Sequence, residues 1–249
     1  MFSDLPIKSG DVIFVSSDIT RIAFDCHRRG IDFSADLLID EIIDMIEDDG
    51  TLIFPTFNWD FCRGQTFDYH NTISKVGTLT NVALKRADFK RTRHPIYSFA
   101  VHGKHTDLLC SMDNKSSFGS DSPFAFFYEA GAKNLMIDVD YQKSATFVHY
   151  VEENIGVEYR FMKDFTAGYI DSEGVFSTRT YSMYVRYLDK EVNVTINPMH
   201  EIFVANGAVV ETEYNGRVIR LVDMRAAYYL VEQDIVNNSS RRITRYWGN

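Results

Sequence analysis

A histidine and a glutamate stand three positions apart in the run Thr146-Phe147-Val148-His149-Tyr150-Val151-Glu152. On a helix, residues at i and i+3 are surface neighbours, so a carboxylate there orients an imidazole or merely forms a salt bridge with it. Just upstream, Ile137-Asp138-Val139-Asp140 reads as a strand end entering a polar loop. Strand, loop and helix in that order are a way to place a general base at a cleft. The same residues admit other chemistry. His149 and Glu152 with His94 and His200 could ligate a metal, although no two histidines have the helical i, i+4 spacing. The serine elbow GxSxG, the phosphate loops GxGxxG and GxxxxGKS/T, and the zinc motif HExxH do not occur.

A second set of residues could hold a phosphorylated cofactor without a phosphate loop. Ser16-Ser17 offers hydroxyls and backbone N–H groups at a helix entry. Lys75-Val76-Gly77, Arg93-His94 and Ser98 add cationic and hydroxyl donors. Each also has a structural reading: Arg93 as a surface ion pair, Ser98 as a solvated strand residue, Gly77 as a turn.

The elements that must position these residues follow from hydrophobic spacing. Asp11 to Val15 reads as a buried strand followed by a polar turn at Ser16-Ser17-Asp18. Leu37, Leu38, Ile42, Met45 and Ile46 recur at helical spacing up to Asp49-Gly50, and Thr51 to Phe54 is a second strand closed by Pro55. This order predicts a parallel pair in an α/β sheet, with the loop after the first strand at the ligand-binding carboxyl edge. Trp59 to Ser74 reads as a loop, Val76 to Ala87 as a helix, and Tyr97 to Val101 as a strand. Phe118 to Pro123 reads as a loop, Leu135 to Val139 as a strand, and Ser144 to Asn154 as one helix. Phe165 to Ile170 and Val175 to Leu188 form a hairpin about Asp171-Ser172-Glu173-Gly174, and Met224 to Val236 is a closing helix. The fold class expected is α/β, a central mixed sheet flanked by helices with an antiparallel hairpin region in the C-terminal third. One domain is expected over residues 1–249.

Composition narrows the function classes. The net charge is −9 over 249 residues, which disfavours nucleic acid as a partner because phosphate affinity needs clustered Lys and Arg. No apolar run reaches membrane-spanning length, and the N-terminal residues lack a signal-peptide pattern. Cys26, Cys62 and Cys110 are an odd, widely spaced set that suits a reducing compartment. The expectation is a cytoplasmic protein.

Six segments then stand in order: Val15-Ser16-Ser17, Gly50 to Phe57, Ser74-Lys75-Val76-Gly77-Thr78-Leu79-Thr80, Arg93 to Ser98, Phe118-Gly119-Ser120-Asp121-Ser122-Pro123-Phe124, and Thr146 to Glu152. In this order the chain, from about Asp11 to Arg160, resembles the aminoglycoside 3-N-acetyltransferase family. That resemblance implies an α/β acetyltransferase unlike the common GNAT type, transferring acetyl from acetyl-CoA to the amine of an amino sugar with no metal. It implies that Val15, Ser16 and Ser17 meet the thioester end of CoA. It places Lys75, Val76, Gly77, Arg93, His94 and Ser98 on the cofactor side, and Phe118, Ser122 and Phe124 on another wall of that channel. His149 is implied as the general base, with Glu152, or alternatively Glu201, orienting it. Residues 1–160 would then hold cofactor and catalytic groups, and residues 161–249 the acceptor side.

The chain departs from the family's pattern at Asp18, where the first motif usually continues Ser-Ser-Leu, and at Asp138, where a glycine is frequent. Asp138 and Asp140 are candidates to bind an acceptor ammonium, or they cap the following helix. Trp59, Tyr69 and Tyr141 lie in loops and could stack on sugar rings. The acceptor is either an aminoglycoside or a nucleotide-linked or polysaccharide-precursor amino sugar. Two alternatives are a non-catalytic CoA- or sugar-binding protein on the same scaffold and a metal-dependent amidohydrolase.

Overall fold

The computed structural model describes residues 1–190 and 192–246. In chain order it runs β1 (Val12–Ser17), α1 (Thr20–Arg28), α2 (Ala35–Ile46), β2 (Thr51–Pro55), β3 (Phe67–Asp68), α3 (Thr78–Ala83), β4 (Lys90–Arg91), β5 (Phe99–Gly103), α4 (Thr106–Ser111), α5 (Pro123–Ala130) and β6 (Lys133–Ile137). It continues with α6 (Tyr141–Ser144), α7 (Val148–Ile155), β7 (Arg160–Ile170), β8 (Phe176–Arg186), β9 (Val192–Val194), α8 (His200–Ala205), β10 (Val209–Tyr214), β11 (Arg217–Asp223), α9 (Met224–Asn238) and β12 (Thr244–Tyr246). The central sheet has seven strands in the order β10-β11-β6-β1-β2-β5-β4. β1 pairs in parallel with both β2 and β6, and the outer strands are antiparallel. The architecture is the mixed α/β sheet that the sequence predicts, with the β7–β8 hairpin apart from it.

β1 is apolar on both faces because both faces are covered. Ile13 and Val15 pack with Leu38, Ile39, Ile42 and Ile46 of α2, while Val12 and Phe14 face an aromatic layer on the other side. Phe124 is the hub of that layer, with ring centroids 5.1 Å from Phe118, 5.4 Å from Phe99 and 5.6 Å from Phe127. The strand runs on through Ser16 and Ser17, which pair with Met136 and Ile137 of β6, so the expected polar turn starts later. The expected single helix over 144–154 is two helices. Asp140 caps α6 through the Lys143 N–H at 3.0 Å. α7 starts afresh, the Val148 N–H bonding the Ala145 carbonyl at 3.0 Å.

Three further elements lie outside the sequence expectations. α1 carries a short apolar stripe, Ile19, Ile22, Ala23 and Cys26 at i, i+3, i+4 and i+7, of which Ile19 and Ile22 are buried in the core. α5 is capped by Ser122, whose side chain accepts from the Ala125 N–H. The β10–β11 hairpin joins the central sheet beside β6 and turns at Asn215-Gly216, both at positive φ (50° and 73°). Asn-Gly between alternating runs is a strong hairpin signal.

A polar network lies inside the aromatic layer. Ser98 has no exposed surface and donates to the Thr56 carbonyl at 3.1 Å while accepting from Arg91 Nε at 3.0 Å. His94 Nδ1 accepts from the Ile96 and Tyr97 N–H groups at 3.3 and 3.2 Å, which fixes the neutral Nε2–H tautomer. Burial pushes this imidazole down to about 3. The expected cofactor-side roles of His94 and Ser98 are therefore corrected: both side chains are closed in the core, where no ligand reaches them.

Two outcomes test this packing. Phe124→Ala should lower stability by about 3–5 kcal/mol in urea unfolding, the usual cost of deleting a buried aromatic ring. For His94, the unfolded chain takes up a proton below about pH 6.5, whereas the folded protein does so only near 3. Its neutral burial thus stabilises nothing extra on acidification: stability present above pH 6.5 falls through that window, by up to about 1.4 kcal/mol per pH unit. His94→Gln should make that acid slope shallower by about one proton.

Candidate functional site

The break before α7 sets His149 in the first turn of a new helix, with its ring edge-on to Phe118 at 5.4 Å between centroids. Glu152 follows on the same face with no exposed surface. Its Oε2 lies 2.7 Å from His149 Nδ1 and 2.6 Å from Arg160 Nε on β7. Arg160 in turn donates to the Tyr184 carbonyl at 3.1 Å. An isolated carboxylate in that position would be costly to bury, and a guanidinium and an imidazole at one oxygen offset the cost. Glu152 Oε1 is sealed without a hydrogen-bond partner among the described residues. With Nδ1 held as the donor to this carboxylate, Nε2 carries the free lone pair.

His149 stands where two hollows meet. One has a volume of about 390 Å³ and the other about 510 Å³. They share Trp59, Tyr97, Gln142, Thr146 and His149. The larger is walled by Ser16, Ser17, Asp18, Lys75, Val76 and Gly77. Gly77 sits at φ 125°, a backbone conformation that side-chain-bearing residues rarely adopt, so the turn beside Ser17 calls for glycine. Lys75 is paired with Asp60 at 2.5 Å. Hydrogen bonds from Thr20 hold the Asp18 carboxyl below the usual carboxylate range. The smaller hollow is walled by the β7–β8 hairpin, through Arg160, Met183, Tyr184, Val185 and Arg186, and by Tyr141 and Phe118. Burial pushes the Tyr141 hydroxyl up to about 12, and it lies 3.1 Å from His200 Nδ1.

The other residues singled out in the sequence fall elsewhere. Val15 and Phe124 are fully buried packing residues, and Ser122 is a buried helix cap. Arg93 is exposed and lines neither hollow. Tyr69 donates its hydroxyl to the Arg91 carbonyl and lines neither hollow. Glu201 is exposed in the first turn of α8 and does not pair with His149; Glu152 does. Asp138 is clamped by Arg21 Nε at 2.7 Å with its side chain 6% exposed, and Asp140 caps α6. Neither carboxylate lines the two hollows that meet at His149; both wall a separate hollow of about 270 Å³ with Arg21, Lys143 and Arg220. The histidines of the metal reading are not assembled: His94 is in the core, and His200 faces Tyr141 and Glu211. Among the described residues no group of three His, Cys, Asp or Glu is placed to hold a metal ion.

Sequence reasoning missed Arg160, Arg186 and Gln142. Extending the expected hairpin outward by its own register sets Arg160 opposite Arg186, so that pair was within reach. Gln142 carried no signal; its position comes from the short α6, where its N–H bonds Asn197 Oδ1 at 3.1 Å.

Comparison with known proteins agrees with this fold. The chain is 23% identical over 272 residues to an SPbeta prophage-derived aminoglycoside N(3')-acetyltransferase-like protein, YokD, of Bacillus subtilis, covering 97% of this chain and 92% of that protein. Its fold is similar to that of AAC-IIIb solved with CoASH, at TM-score 0.78 and 17% identity over 97% of this chain and 94% of that one. It is also similar to AAC-VIa solved with sisomicin, at TM-score 0.79 and 17% identity over 95% of each chain. The family model for aminoglycoside 3-N-acetyltransferase matches residues 27–235, a span that holds the His149–Glu152 pair and most of both hollows, and the chain is a member of that family.

Proposed function

We propose that the chain transfers an acetyl group from acetyl-CoA directly to the amine of an amino sugar, with His149 as general base. The observation that carries this is the junction itself: one imidazole, fixed by a buried carboxylate, at the meeting point of two hollows. The larger hollow takes the pantetheine arm and thioester, between Ser16-Ser17 and Lys75-Val76-Gly77. The smaller one, walled by the hairpin, takes the acceptor. On this reading residues 1–160 supply the donor side and the base, and the hairpin beyond them supplies the acceptor wall. The CoASH bound to AAC-IIIb and the sisomicin bound to AAC-VIa support these two ligand classes.

The step balances without a covalent enzyme intermediate. The amine nitrogen attacks the thioester carbonyl carbon, and its proton passes to His149 Nε2. The carbonyl electrons move onto oxygen, where N–H donors along the Ser16-Ser17 edge stabilise the oxyanion. The carbon–sulfur bond then breaks, and the leaving thiolate takes the proton back from His149. Glu152 holds the ring tautomer and faces the positive imidazolium that forms. Arg160 fixes Glu152 so that this alignment does not depend on water.

His149→Ala should lower acetyl transfer by about 10²–10⁴-fold, the usual share of a general base, in an assay of CoA thiol release. Affinity for CoA should stay as in the parent. Turnover equal to the parent would remove His149 from the chemistry. CoA binding with no thiol release for any amine would favour the non-catalytic binding protein. Glu152→Gln leaves Arg160 as a buried charge without its carboxylate, and should lower stability by about 3–5 kcal/mol as well as slow transfer.

A further inference from the structure

The charge of the acceptor-side hollow points to a particular class of amino sugar. Over the whole chain acidic residues outnumber basic ones, 35 to 26. The charged residues that wall this hollow are nevertheless two arginines, Arg160 and Arg186, beside His149. No aspartate or glutamate lines it among the described residues. That charge favours an acceptor bearing an anion over a polycation.

The two arginines are direct cross-strand partners, Arg160 on β7 opposite Arg186 on β8. Like charges in that position repel and destabilise a strand pair. Glu152 relieves only one of them, since its Oε2 is in contact with Arg160 Nε. Arg186 donates from Nη1 to the neutral Asn193 Oδ1 at 2.6 Å, and no carboxylate among the described residues pairs with it. That leaves Arg186 exposed at the cleft wall with no carboxylate partner among the described residues. A guanidinium fork matches a phosphate group in geometry and charge. Trp59, Tyr141 and Tyr184 add aromatic ring surface to the same wall.

We propose that the acceptor is an amino sugar carrying a phosphate ester, and that Arg186 binds the phosphate while the amine reaches His149. This rests on the assignment of the acceptor to the hairpin-walled hollow. The phosphate belongs to a sugar monophosphate or to the diphosphate of a nucleotide-linked sugar. Both present the same chemistry to Arg186, and the acceptor series below separates them.

The test compares four acceptors with parent and Arg186→Ala: a free amino sugar, its monophosphate, its nucleoside diphosphate derivative, and a polyamine aminoglycoside. Thiol release gives kcat/KM, and calorimetry gives binding of each acceptor. In the parent, one phosphorylated form should exceed the free sugar by about tenfold or more, the scale of one charge-assisted pair. Arg186→Ala should shrink that ratio toward one, through acceptor KM, while Arg186→Lys retains part of it. The phosphorylated form with the larger ratio identifies the source. The proposal is overturned if the aminoglycoside is the best acceptor, if the ratio survives in Arg186→Ala, or if the substitution instead raises KM for acetyl-CoA, which would give Arg186 to the donor's own phosphates. Phosphate-dependent binding lost in Arg186→Ala, without thiol release for any amine, would support this inference while defeating the acetyl-transfer reading.

Discussion

One buried carboxylate oxygen organises the site. Glu152 Oε2 meets His149 from its own helix and Arg160 from the next strand. A carboxylate with no solvent contact is stable only with such partners, so the contact ties the direction of α7 to the start of β7. It also decides which imidazole nitrogen faces the cleft. Everything else at the junction is arranged around that constraint. Phe118 backs the ring, and Phe118 is itself packed on Phe124, the hub of the core layer beneath.

The central sheet supplies the rigidity that this requires. β1 lies between β2 and β6 and ends at Ser16-Ser17, on the wall of the larger hollow. The hairpin brings Arg160 and Arg186 to the smaller one from outside the central sheet. The proposed donor side is thus built on the sheet, and the proposed acceptor side on an appended hairpin. A wall of that kind can change its charge without disturbing the parallel core.

The β1–α2–β2 unit was legible because its apolar spacing is regular, and Ser34 accepts the Leu37 N–H at the helix start as a cap should. His149 and Glu152 were legible because their spacing is local. What needed coordinates was long-range. Arg160 reaches Glu152 around the left-handed Gly156 at φ 75°, and no spacing rule links those positions. His94 and Ser98 look like ligand residues by type, yet burial depends on strands distant in sequence. Asp138 looks free until Arg21, more than a hundred residues away on α1, is placed against it. The division of α6 from α7 was hidden because residues 144–154 read as a single helical run.

In the proposed reaction, acyl donor and amine meet at His149. A crystal structure with CoA and an amino sugar bound together tests this most directly. The CoA sulfur should lie in the hollow walled by Ser16-Ser17 and Lys75-Val76-Gly77. The acceptor nitrogen should lie within hydrogen-bond reach of His149 Nε2, about 2.6–3.2 Å. A CoA sulfur in the hairpin-walled hollow, or an amine held away from His149, would contradict it.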